Sequence, residues 1–132
     1  SYDVIFLLNV LHHVGDDYGD DMLTKEKALK VITKSLQSLA SKTKILVFQL
    51  GFNWKGNRNL PLFDDGTKKE MIDFIAEGIK HHFTIETIGI AENEEKKVVY
   101  NRLNESNIQR VDDLGEFLNR PIFIMKSKLF HI

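Results

Sequence analysis

The stretch that decides the fold is YDVIFLLNVLHH, residues 2–13. Its apolar run from Val4 to Leu8 is hydrophobic on both faces, which is typical of a parallel strand covered by helices on both sides. Asn9, His12 and His13 follow the run and form a polar group. Ligands of open α/β sheets bind at the carboxyl ends of the strands. The stretch therefore predicts a buried strand that ends at a binding edge.

The composition is that of a globular domain. The chain has 132 residues, 42% hydrophobic and 28% charged, with a net charge of -1. This charge gives no electrostatic signal for nucleic acid or an acidic membrane surface. The absence of cysteine excludes disulfides, thiolate catalysis and cysteine-bound metals, and it fits a cytoplasmic location. No apolar run is long enough to span a membrane, and no signal-peptide pattern is present.

Two segments have the residue spacing of amphipathic helices. Apolar residues recur every three or four positions over 24–41, where Thr24 can cap the helix start. Thr67 and Glu70 form a capping-box pattern, in which the threonine hydroxyl accepts from the glutamate amide and the carboxylate reaches back. The second helix is expected to run from this cap to about His82.

Apolar runs predict three further main strands, over 42–50, 83–91 and 120–128. A slip in alternation at Thr87 and Ile88 predicts a bulge. Helical crossovers between the first three strands require those strands to be parallel, whereas the last two can pair antiparallel. The intervening insert, 92–119, is expected to hold a charged turn, a short strand or an extended arm at 98–103, and a short helix near 111–117.

The segment DVIFLLNVLHHV, residues 3–14, resembles the fourth strand and following loop of class I S-adenosylmethionine-dependent methyltransferases. TKILVFQLG, residues 43–51, resembles their fifth strand. The last two main strands, at 83–91 and 120–128, resemble the antiparallel sixth and seventh strands of the family. The resemblance covers nearly the whole chain as an order of elements, and its motif lies in the first stretch. It implies an α/β fold with a partial Rossmann-like sheet, in which three of about four main strands are parallel and the last is antiparallel, with helices on the faces.

The sequence departs from that family in the features that hold the cofactor. The family has a G-x-G loop after its first strand and a carboxylate that binds the ribose, and neither is found here. We therefore expect residues 1–132 to be a single partial domain, the carboxyl-terminal half of such a fold. The full-length protein would be the methyltransferase. The isolated chain would bind S-adenosylmethionine weakly or not at all.

The half-domain interpretation also predicts the sheet order and the assembly. The main strands should lie in the order first, second, fourth, third, by their rank in this chain. The strand Val4 to Leu8 would then have a bare apolar edge, which is an association hazard. We expect this edge to be covered in a homodimer, through an exchanged segment, or by a missing amino-terminal half.

By the resemblance, Asn9 and Val10 lie against the methionine end of the cofactor, largely through backbone groups. The alternative for Asn9 is an asparagine that caps a loop. His12 and His13 have three interpretations: substrate contact with His13 as the candidate base, packing of the loop, or metal binding. No third metal ligand has a recognisable spacing, and we predict no metal site.

A loop after the second strand carries further candidates for substrate binding, namely Phe52, Trp54, Lys55 and Arg58. Aromatic rings can stack on a flat or sugar-like methyl acceptor, and the cations can hold phosphate or carboxylate. The alternative is a loop that folds over the core with Trp54 as its plug. The acceptor itself, small or macromolecular, is not specified by these residues.

Two other functional classes compete with the methyltransferase. One is a non-catalytic binding or assembly module that retains the fold without its glycine loop. The other is a different doubly wound domain, such as a nucleotide-binding or receiver-like domain. The absence of a phosphate loop and of a strand-end aspartate constellation argues against the latter.

Overall fold

The computed structural model describes residues 2–11, 24–53 and 60–130. Its elements, in chain order, are β1 (Tyr2–Leu8), α1 (Lys25–Leu39), β2 (Thr43–Gln49), α2 (Lys68–Ile79), β3 (Phe83–Glu94), β4 (Lys97–Arg102), a 3-10 turn (Asp112–Leu114), α3 (Gly115–Leu118) and β5 (Ile122–Ser127). Within these described ranges, no helix combines the length and apolarity needed to cross a membrane.

The five strands form one mixed sheet in the order β1-β2-β5-β3-β4. Only β1 and β2 pair in parallel, and the three other neighbouring pairs are antiparallel. β3 runs in the same direction as β1 and β2 but pairs with neither of them, because β5 lies between β2 and β3. The expected order of the four main strands is therefore found, with β4 added outside β3.

The expected fold class is wrong. A Rossmann-like sheet is mostly parallel and has helices on both faces, whereas this sheet has one parallel pair and its two longer helices pack on one face. The antiparallel β5 lies between β2 and β3 as expected, but the insert adds β4 antiparallel to β3, so three of the four neighbouring pairs are antiparallel. The crossover helices α1 and α2 both pack on one face and leave the other without a described helix.

The core lies between the two longer helices and one face of the sheet. Ile32 of α1 and Met71 of α2 are fully buried with Leu46 and Phe48 of β2. From β5 and β3 the same face contributes Phe123, Met125, Ile88 and Ile90. Such one-sided packing is common for a sheet rich in antiparallel pairs.

The opposite face of the sheet carries exposed apolar side chains along β1. Phe6 is 68% exposed and Tyr2 65%, while Ile5 and Leu7 on the helix side are half-buried. The expectation of a strand buried on both faces is therefore wrong. β1 is the edge of the sheet, and none of the described helices covers its outer face.

The predicted helix starts are confirmed. Thr24 accepts from the Lys27 amide at 3.2 Å, and Thr67 accepts from the Glu70 amide at 3.1 Å. The Glu70 carboxylate reaches back past Thr67, to the amides of Asp65 and Gly66 at 2.9 and 3.0 Å. It thereby anchors the loop that leads into α2. α2 ends at Ile79, three residues before the predicted end.

The strands of the carboxyl-terminal half also match their patterns. The register of β3 against β5 shifts between Ile85 and Thr87, which confirms the bulge. β3 runs on to Glu94, so the charged turn shrinks to Glu95 and Lys96. Both of these residues have positive φ, 48° and 69°, as the central residues of a type I′ hairpin turn require.

Candidate functional site

Asn9 is the first residue after β1, at the carboxyl end of the strand. Its φ of 61° places it in the left-handed region, where asparagine is one of the few tolerated side chains. The Asn9 amide donates to the main-chain oxygen of Gln49 at 2.8 Å, and its side-chain Nδ2 donates to Gln49 Oε1 at 2.8 Å. The backbone therefore turns sharply at Asn9 while it stays attached to the end of β2.

Arg120 completes this polar cluster from the other end of the chain. Its Nη1 donates to Asn9 Oδ1 at 2.8 Å, and its Nε and Nη2 form a two-point ion pair with Glu116 at 3.1 and 2.5 Å. The Arg120 carbonyl accepts from Gln49 Nε2 at 3.2 Å. Asn9, Gln49, Glu116 and Arg120 form what we call the strand-end cluster.

The cluster is fixed by short local elements. Glu116 lies on α3, and Arg120 follows the end of that helix four residues later, so the two side chains meet on one side; Arg120 also lies 5.1 Å above the Phe117 ring. Glu116 in turn accepts from the Phe52 amide at 3.0 Å. The ends of β1 and β2 are thus tied to the segment that leads into β5.

The chemistry of the strand-end cluster favours positioning over proton transfer. Asparagine and glutamine amides do not titrate in the physiological range, and the Glu116 carboxylate is held by the Arg120 guanidinium. Both polar atoms of the Asn9 side chain are already engaged within the protein. A ligand at this edge would therefore meet the Asn9 backbone and the neighbouring Val10, which is 54% exposed.

The other residues predicted for the site divide into two groups. His12, His13, Trp54, Lys55 and Arg58 lie outside the described residues, so their roles stay predictions. Phe52 is 3% exposed and belongs to the core. It packs edge to face on Phe63 at 6.4 Å, and the Arg110 guanidinium lies 5.6 Å from its ring centre. This placement favours the loop-over-core alternative for Phe52 over substrate stacking.

A second polar cluster lies where the insert meets the start of α2. Lys68 is buried there, and its Nζ donates to the carbonyls of Asn107 and Gln109 at 3.0 and 2.9 Å. Glu92 accepts from Asn101 and Asn107 at 2.7 and 3.2 Å. A cavity of about 260 Å³ adjoins these groups and is lined by Lys68, Glu92, Asn107 and neighbouring residues of β3 and the insert.

The environment shifts two pKa values in this second cluster. Burial lowers the pKa of the Lys68 ammonium, and the Arg110 charge acts in the same direction, while Glu92 opposes both. Hydrogen bonds from Asn101 and Asn107 lower the pKa of the Glu92 carboxyl. Lys68 and Glu92 therefore hold the insert on the helix start as a charged, hydrogen-bonded structural contact.

Sequence reasoning singled out Asn9 but not Gln49, Glu116, Arg120 or Lys68. A polar residue that ends an otherwise apolar strand was the available signal for Gln49. The spacing of Glu116 and Arg120 signalled a helical ion pair, but nothing local connected that pair to Asn9.

No protein-family model matches this sequence, and no curated protein or solved structure matches it either.

Proposed function

We propose that this chain supplies the substrate side and one wall of the cofactor site of an S-adenosylmethionine-dependent methyltransferase. The full-length protein would be the enzyme, acting in the cytoplasm, and the isolated chain would be inactive. The observation that carries the proposal is the left-handed turn at Asn9, held by Gln49 and Arg120 at the carboxyl end of β1. The resemblance of residues 3–14 and the order of the four main strands support it.

The groups that the chain offers fit one part of this cofactor. S-adenosylmethionine, when bound, supplies an activated methyl group for in-line attack by a nucleophile. The Asn9 side chain is engaged within the protein, so this residue would contact the methionine end through its backbone. Val10 would add apolar contact, because its side chain projects into solvent beside the turn. The described residues contain no glycine loop for the rest of the cofactor.

The contribution of this chain to catalysis would be orientation. Holding a reactant in the attack geometry removes a large part of the entropic barrier to a bimolecular step. The strand-end cluster joins three elements of the sheet, so the turn at Asn9 is set by long-range contacts rather than by a loop alone. A base, where the acceptor requires one, would come from His13, which remains the candidate.

Amide NMR with S-adenosylhomocysteine as the probe tests the proposal. We expect fast-exchange shifts at millimolar probe that centre on Asn9, Val10 and Leu11, since one wall binds weakly. Val10→Asp should abolish these shifts, because it adds a carboxylate beside that of the probe. Val98→Asp is the matched control, since Val98 is also an exposed valine, at 46% against 54% for Val10, and lies on β4 at the far edge of the sheet. Shifts confined to other regions, or none, would refute the proposed function. Micromolar affinity would refute the one-wall description.

The second candidate is a non-catalytic assembly module, and the exposed apolar row along β1 favours it. Such a module needs no ligand at the strand end. It would give no probe-dependent shifts at Asn9 but would associate through β1. The NMR titration therefore separates the two candidates.

A further inference from the structure

The outer edge of β1 combines two features that favour association. The first is a row of exposed apolar side chains on one face of the strand, which consists of Tyr2, Val4, Phe6 and Leu8. The second is an unpaired side of the backbone, since no described strand pairs with β1 on the side away from β2. A long apolar edge of this kind acts as a template for another strand.

The open side of β1 carries unpaired backbone groups. Amide directions alternate along a strand, so about every second residue of β1 directs its amide and carbonyl away from β2. The Tyr2 amide donates inward to the Lys42 carbonyl at 2.7 Å, and the Asn9 amide donates inward to the Gln49 carbonyl at 2.8 Å. The alternation therefore shifts once between these two residues, and the register of β1 on β2 skips Asp3. About three residues present a donor and an acceptor each to an incoming strand.

We propose that a second copy of this chain pairs with β1 through its own β1, antiparallel, with Ile5 directly opposite Ile5. This register overlaps all seven residues of the strand. It forms about four to six backbone hydrogen bonds, because paired positions are both odd or both even and so share their direction over most of the strand. No other antiparallel register of these two strands overlaps as many residues.

The side chains fit a second copy in this register. Tyr2 lies opposite Leu8 and Val4 opposite Phe6, so each exposed apolar side chain gains an apolar cross-strand neighbour. On the same face, the interior strand β2 carries Ile45 and Val47, and both are half-buried, whereas the side chains of β1 are exposed. The exposed side chains of β1 should become half-buried in the same way when a second copy pairs with this strand.

Charge supports the same register. Asp3 is the only charged residue of β1, and it forms an exposed ion pair with Lys44 at 3.3 Å. With Ile5 opposite Ile5, each Asp3 faces Leu7, and the two aspartates stand roughly 13 Å apart along the strands. A register shifted to bring Asp3 opposite Asp3 would place like charges in contact.

The dimer would also reach the strand-end cluster. In this register Tyr2 of the second copy lies beside Leu8, the residue that precedes Asn9. The inference goes beyond the proposed function and does not depend on it, because it rests on the edge alone. A single pairing of seven-residue strands buries on the order of 1,000 Å² at most, the lower limit of specific interfaces. We therefore expect a dimer that dissociates on dilution.

Sedimentation equilibrium of the chain tests the assembly. We expect a concentration-dependent monomer–dimer equilibrium that Phe6→Lys weakens about tenfold or more, since edge lysines block strand pairing. The matched control is Leu129→Lys, because Leu129 is similarly exposed but lies outside the sheet, after the end of β5. Circular dichroism checks that both variants stay folded. A wild-type chain that is monomeric at high concentration, or a dimer that survives Phe6→Lys, would overturn the proposal.

Oxidative cross-linking tests the register, and the chain has no native cysteine to interfere. Ile5→Cys should give a disulfide-linked dimer, since directly opposed residues of an antiparallel pair have Cα atoms about 4.5–5.5 Å apart. Asp3→Cys is the control and should give little cross-linked dimer, because the two residues at position 3 are too far apart to form a disulfide. Equal cross-linking of the two variants, or none from Ile5→Cys, would contradict the proposed pairing.

Discussion

The Arg120 guanidinium donates to the side-chain oxygen of Asn9 at 2.8 Å, across 111 positions of the sequence. The contact joins a residue two positions before β5 to the residue that follows β1. β2 lies between these two strands and adds Gln49 to the same cluster. The candidate binding edge is therefore built by the segment that leads into the last strand as much as by the first strand.

Removal of the Arg120 charge should destabilise the protein. Arg120→Met removes the ion pair with Arg120 from the Glu116 carboxylate and the Arg120 donor from Asn9 Oδ1, and both groups are partly buried. We expect a loss of about 1–3 kcal/mol in the free energy of unfolding, measured by urea denaturation. The control is Lys69→Met, which breaks the exposed Lys69–Asp73 pair and should cost less than about 0.5 kcal/mol. Equal losses would contradict the structural role assigned to Arg120.

The left-handed turn makes a separate prediction at Asn9. Asn9→Ala and Asn9→Gly lose the same two side-chain hydrogen bonds, but only alanine is strained at a φ of 61°. We expect the glycine variant to be more stable than the alanine variant by about 1 kcal/mol. Thermal or urea unfolding measures the difference. If the alanine variant were the more stable, the residue would not hold the left-handed conformation in solution.

The local elements could be predicted from the sequence because they follow from short-range patterns. The stripe and cap of α1, the Thr67 cap of α2 and the slip in β3 all involve residues a few positions apart. Such patterns specify an element and its faces. They predicted where the strands and helices lie.

The assembly of the elements could not be predicted in the same way. An apolar run such as Val4 to Leu8 occurs both in covered strands and in edge strands, so the run does not indicate which of the two it forms. In this structure every second residue of the run is exposed. The position of β5 between β2 and β3 follows from the resemblance and not from any local pattern, because it depends on contacts between strands more than seventy residues apart. The strand-end cluster has the same origin, since its hydrogen bonds to Asn9 come from Gln49 and Arg120.

Lys68 should give the stability an alkaline pH dependence. Burial lowers its native pKa below the usual 10.5, so the unfolded chain binds the proton more tightly. Stability should therefore rise as pH increases from the native pKa to about 10.5, where the unfolded chain also loses its proton. Lys68→Met removes this contribution and leaves the carbonyls of Asn107 and Gln109 without a donor, at a cost of about 1–3 kcal/mol.

The measurement for Lys68 is urea denaturation of the wild type and Lys68→Met at neutral pH and near pH 10. The stability advantage of the wild type should be larger at the higher pH. Lys69→Met serves as a control, since Lys69 is an exposed neighbour on the same helix turn. A difference between wild type and Lys68→Met that does not change with pH would contradict the lowered pKa.

Glu92 should titrate below an ordinary glutamate. Asn101 and then Asn107 stabilise its carboxylate, which lowers the native pKa from 4.5. Its contribution to stability is present above about pH 4.5 and is lost as pH falls through the native pKa. Asn101→Ala should raise the Glu92 pKa toward the ordinary value, measured by carboxyl-carbon NMR. Asn93→Ala is the control, because Asn93 is an exposed residue next to Glu92. Unchanged titration in Asn101→Ala would contradict the assigned cause.

The hairpin turn between β3 and β4 offers a stabilising substitution. Glu95 and Lys96 both have positive φ. This conformation costs about 1 kcal/mol or more for each residue that is neither glycine nor asparagine. Replacing the pair by Glu95→Asn with Lys96→Gly provides the residues that type I′ turns favour. We expect the double variant to gain about 1 kcal/mol in the free energy of unfolding, measured by thermal and urea denaturation. The reversed pair, Glu95→Gly with Lys96→Asn, removes the same two charges and should gain less, because asparagine then occupies the second position of the turn. A loss of stability in the Asn-Gly variant would show that the turn has another conformation in solution.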